Sequence, residues 1–125
     1  MKQELYDKIR NVDDIKKLDI DIPEWGVIVG VHSMSGLDRA MLLNKCIDNK
    51  TGSVIQEKFQ AGVLIACCRD PETGERLFSD GDAEWLMQKS SGAIEKLASA
   101  AMSASGLTGE ALKEAEKNSS KDIPK

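Results

Sequence analysis

Leu18-Asp19-Ile20-Asp21-Ile22-Pro23-Glu24-Trp25-Gly26-Val27-Ile28-Val29-Gly30-Val31 changes the hydrophobic period of the chain, and with it the fold class. Leu18, Ile20 and Ile22 alternate with Lys17, Asp19 and Asp21, the two-residue period of a half-buried strand. Alternation resumes at Trp25, Val27, Val29 and Val31, with Gly26, Ile28, Gly30 and His32 on the opposite face. Two alternating runs around Pro23-Glu24-Trp25-Gly26 read as a β-hairpin. A lone hairpin is marginal in water, so this one must pack on helices. The expected fold is mainly α, of the α+β type: a bundle of about five helices with a small N-terminal β-hairpin.

The helices lie on either side. Leu5, Tyr6 and Ile9 suit a short amphipathic helix over 3–10. Ser35 is the N-cap of a second, with Asp38 placed at its positive end and an apolar face of Leu37, Ala40, Met41, Leu43 and Ile47. Ser53-Val54-Ile55-Gln56 has capping-box spacing and predicts a third helix running through Cys68. Its second half, 61–68, is apolar all round and belongs at the centre of the core.

Asp70-Pro71-Glu72-Thr73-Gly74-Glu75-Arg76-Leu77-Phe78-Ser79-Asp80-Gly81-Asp82 follows as a connector. Pro71 and Gly74 suit a chain reversal. Leu77 and Phe78 are expected as buried anchors, and Ser79 or Asp80 caps a short helix carrying Trp85, Leu86 and Met87. A further helix starts at Ser90 or Ser91, where Ile94, Leu97, Ala98 and Ala101 form a core-facing stripe. Gly106 ends it in positive φ. Thr108 caps a last helix to about Lys117. The expected organisation is a single domain over 1–117 and a disordered tail over 118–125.

Composition narrows function. The chain has 125 residues, 41% hydrophobic and 30% charged, with a net charge of -4: a globular chain of one-domain size. Acidic and basic residues are interspersed, and no Lys/Arg cluster forms the footprint of a nucleic-acid binder. The longest apolar run, 61–68, is far too short for a membrane span. The N-terminus lacks an apolar signal core, so a cytoplasmic setting is expected. Cys46, Cys67 and Cys68 fit no metal spacing and read as small core hydrophobes in a reducing compartment.

The sequence holds no recognisable catalytic constellation. Catalysis at neutral pH generally needs a nucleophile with its base, paired carboxylates or a metal. His32 is the single histidine, and no His/Cys/Asp grouping has zinc or iron spacing. Asp80, Asp82 and Glu84 lack the twelve-residue calcium loop and suit a helix start instead. The expectation is a non-enzymatic binding or assembly role with no catalytic, cofactor or metal-binding residues.

The order of motifs resembles that of the tail assembly chaperones of long-tailed bacteriophages and prophages. The likeness rests on Pro23-Glu24-Trp25-Gly26 before an alternating strand and on Ser35-Gly36-Leu37-Asp38-Arg39 opening a helix. It continues in Cys67-Cys68 before an acidic Gly turn, in Arg76-Leu77-Phe78-Ser79-Asp80-Gly81-Asp82, and in Gly106-Leu107-Thr108 after a small-residue helix. Gly36 and Gly81 depart from the family's pattern, which favours helix formers there. The resemblance implies a small helical protein of the host cytoplasm, absent from the mature virion, that binds the tape measure protein and keeps it soluble during tail tube assembly. It also implies recruitment of the major tail tube protein by a frameshifted longer form. The alternative reading is a structural virion component, a head–tail connector or tail terminator subunit.

A long helical client with exposed apolar stripes needs an apolar surface on its chaperone, and helix-in-groove recognition is the natural mode. Repeated equivalent segments favour several copies per client and self-association. Flexible methionines suit such a surface, with Met34, Met41, Met87 and Met102 as candidates, although core positions are commoner for each. The expected contact surface lies on the C-terminal helices, through Trp85, Met87, Ile94, Met102 and Leu107.

Overall fold

The computed structural model describes residues 1–106. Leu107, the helix expected over 108–117 and the tail over 118–125 lie outside them. In chain order the elements are α1 (Lys2–Asn11), β1 (Lys17–Ile22), β2 (Val27–His32), α2 (Gly36–Cys46), α3 (Gln56–Cys67), β3 (Cys68–Arg69), a 3₁₀ turn (Asp80–Asp82), α4 (Ala83–Leu86) and α5 (Ser91–Ala104). The mainly helical α+β class read from the sequence is the observed one.

The hairpin forms in the register that its alternation requires. Ile22 pairs with Val27, Ile20 with Val29 and Leu18 with Val31, so these six apolar residues share one face. Pro23-Glu24-Trp25-Gly26 is the turn, closed by Gly26 at φ 65°. Ile22, Val29 and Val31 are buried, and Trp25 packs half-buried against the same cluster.

The sheet has a third strand. Cys68 and Arg69 pair antiparallel with Val31 and Gly30, so the apolar run over 61–68 is not one continuous helix. It turns from helix to strand after Cys67. Gly30 makes the pairing possible: a Cβ there would lie 3.0 Å from the Arg69 carbonyl oxygen and 3.3 Å from Pro71 Cα.

α2 starts as its sequence prescribes, with the Ser35 hydroxyl accepting the Asp38 N–H at 3.1 Å. α3 does not use the Ser53 capping box. Val54 forms a β-bridge with Ile47, and the Ile55 N–H donates to the Cys46 carbonyl at 2.8 Å. Extended backbone is therefore imposed on 54–55, and the helix begins at Gln56 with no side-chain cap.

The core lies where α3 and α5 meet the inner sheet face. Phe59, Val63, Leu64 and Cys67 from α3 join Ile94, Leu97, Ala98 and Ala101 from α5. The alanines let the two helices approach closely. Gly106 follows α5 at φ 74°, as a glycine just past a helix end should. Lys96 Nζ donates to the Asp21 carbonyl at 2.7 Å, and the Met34 N–H donates to Ser105 Oγ at 2.9 Å, so α5 is tied to both ends of the hairpin. α1 is a helix as expected, but it buries no residue; Leu5 and Ile9 are 60% and 64% exposed.

Candidate functional site

The connector over 70–82 builds one wall of an open concave surface. Asp70 Oδ1 accepts the Glu72 N–H at 2.8 Å, and the Gly74 N–H donates to the Asp70 carbonyl at 2.8 Å. This tight reversal, with Gly74 at φ 78°, sends the chain back alongside β3, where Arg76 bridges Arg69. The returning segment is then tied to α2 through Arg76 and Asp80.

Between that segment and the two helices lies an open groove of about 560 Å³. Met41, Leu42 and Cys46 from α2 line one side, and Ala61, Gly62, Ile65 and Ala66 from α3 form the floor. At Gly62 the Leu42 side chain occupies the space that a Cβ would take, so α2 and α3 meet closely there. Charged groups stand at the rim. Lys45 Nζ reaches Asp80 Oδ2 at 3.3 Å and Arg76 Nη2 reaches Asp38 Oδ1 at 3.6 Å, both pairs linking α2 to the connector. Lys58 completes the rim. Exposed pairs of this kind orient side chains more than they stabilise the fold.

The groove continues into an aromatic end. Ile65, Arg76 and Asp80 are shared with a shallow depression over Leu77 and Phe78, and Phe78 is shared in turn with a pocket of about 310 Å³ formed with Trp25, Trp85, Leu86 and Lys89. Phe78 and Trp85 meet edge to face, 5.9 Å between centroids, and Lys89 Nζ sits 5.8 Å from the Trp85 centroid.

Leu77, expected as a buried anchor, is 42% exposed. Leu77 directly follows the Arg76 bridge, and because extended backbone alternates, it faces away from Phe78, which turns toward the core. Of the expected contact residues, Trp85 is exposed at the aromatic end of the groove, while Met87 and Met102 are half-buried against the core. Met102 lines a different, shallow depression with Gln60 and Glu95. Ile94 is 3% exposed and serves the α3–α5 contact. Leu107 lies outside the described residues. These positions do not form one patch.

Met41, one of the candidate methionines, does line the groove and is exposed. Lys45, Lys58 and Arg76 were not legible as site residues, because they come from three separate elements and share no sequence spacing. The cysteines offer no thiol chemistry at the surface: burial pushes the Cys67 and Cys68 thiols up to about 12. Among the described residues no group of three His, Cys, Asp or Glu could hold a metal ion, and no helix is long and apolar enough to cross a membrane.

Among solved structures, the chain is similar to the tail assembly chaperone of bacteriophage HK97. The TM-score is 0.56 at 17% identity, over 83% of this chain and 95% of that one. At that identity the likeness establishes a shared fold. No family model matches the sequence, and no curated protein does.

Proposed function

We propose that this protein is a non-enzymatic phage tail assembly chaperone that binds the tape measure protein in the α2–α3 groove and keeps it soluble while the tail tube forms. The observation that carries the reading is an open, apolar-floored groove of about 560 Å³ on a fold shared with the HK97 tail assembly chaperone. A helix needs such a trough to bury an apolar stripe. Binding alone is sufficient for this role, which places the protein in the host cytoplasm during assembly and leaves it out of the finished particle.

Co-expression with a tape measure protein from the same genome tests the proposal. The client is expected in the soluble fraction with the native chain, and in the pellet with Met41→Lys or Met41→Glu, which put a charge on the exposed apolar wall of the groove. Unchanged client solubility across native chain, variants and no chaperone overturns it. Recovery of the chain in purified particles at a fixed copy number would instead favour a connector or terminator subunit.

A further inference from the structure

The groove has a sign. Lys45, Lys58 and Arg76 face Asp38 and Asp80 across it, three cations against two carboxylates, on a chain whose net charge is -4. Both aspartates are already engaged, Asp80 by Lys45 and Asp38 by Arg76. Lys58 makes no ion pair among the described residues. The lining between these charges is apolar, with Ala66 and Ala83 small and partly exposed beside Ile65.

We propose that the groove selects an amphipathic helix whose contacting face is apolar and whose flanks are acidic. An acidic flank meets Lys58 directly and can share Lys45 and Arg76 with their present partners; a basic flank meets like charge. The inference rests on the chaperone reading only for the natural source of that helix. The chain's own exposed helix is the wrong match. Leu5 and Ile9 on α1 lie one turn apart, and helical geometry sets Lys2 and Lys8 to either side of them. A second copy would bring its lysines to a cationic rim.

The test uses two synthetic helical peptides with one shared Ala/Leu face, flanked throughout by Glu in one and by Lys in the other. Titrated into the full chain, the Glu peptide is expected to bind about tenfold more tightly, with amide shifts at Ala61, Gly62, Ala66 and Ala83. K45E/K58E, two exposed positions, should invert the order, and high salt on the unmodified protein should erase it. Equal affinities, no binding of either peptide, or shifts centred on Trp25 and Trp85 overturn the proposal. Groove shifts that appear on concentrating the protein alone and vanish in Ile9→Glu would assign the groove to a second copy, and overturn it too. Loss of the charge preference with client solubilisation intact removes only this inference; the converse removes only the chaperone reading.

Discussion

Trp85 donates its indole N–H to Asp82 Oδ1 at 2.9 Å, so an indole ring at the aromatic end of the groove is aimed by one carboxylate. The other oxygen of that carboxylate accepts the Ser79 N–H at 2.8 Å and the Ser79 hydroxyl at 3.3 Å. One side chain thus starts the 3₁₀ turn and fixes the ring beside it. The Ser79 backbone bond, followed by the Trp85 bond, holds the Asp82 carboxyl below the usual carboxylate range.

That lowered pKa has a direction in acid. A depressed folded-state value means that the stabilisation is complete above the unfolded pKa, about 3.9, and is lost as pH falls through the lower folded value. In a Trp25→Phe background, Trp85 emission should stay flat from neutral pH through the ordinary carboxylate range and change only below it. The Asp82→Asn variant should lack that transition. A change centred on the ordinary carboxylate value would show that the tie is not formed in solution.

Burial ranks three apolar residues. Phe59 is 1% exposed, and Phe59→Ala should cost about 3–5 kcal/mol. Half-buried Phe78 retains an edge contact with Trp85 and should lose about 2 kcal/mol on truncation. Leu77→Ala should cost less than about 1 kcal/mol. Urea denaturation of the three variants checks the order; a Leu77 loss equal to that of Phe59 would mean that the connector packs differently.

Two glycines should respond oppositely to alanine. Gly30→Ala drives a Cβ into the Arg69 and Pro71 backbone, which cannot rotate away, and should cost about 1–3 kcal/mol. Gly36, at the start of α2, has open space around it and lies outside the positive-φ set. Gly36→Ala should stabilise by about 0.4–1 kcal/mol through the unfolded chain. Thermal melts of the pair read both signs.

The thiols should be silent until the fold opens. All three cysteines are buried, and with Cys67 and Cys68 raised to about 12 almost no thiolate exists at neutral pH. An aromatic disulfide reagent should titrate no thiol in the native protein and three in denaturant. Rapid native labelling would show that α3 opens locally at low cost.

What the sequence determined by itself is what local periodicity and local capping can encode. The hairpin register follows from alternation, because a slip of one residue would put Ile20 and Val29 on opposite faces of the sheet. The Ser35 cap, the Gly106 stop and the burial of Val63, Leu64 and Cys67 likewise depend on neighbours a few positions away. Tertiary structure decided the remainder. Cys68 leaves the helix because β2 offers an edge that Gly30 leaves open, and Ser53 does not start the helix because Val54 pairs with Ile47. The groove is assembled the same way: Lys45, Lys58 and Arg76 meet only once the connector folds back along β3. Contacts between residues distant in sequence leave no period to read, because their energy depends on a geometry that exists only after the chain has folded.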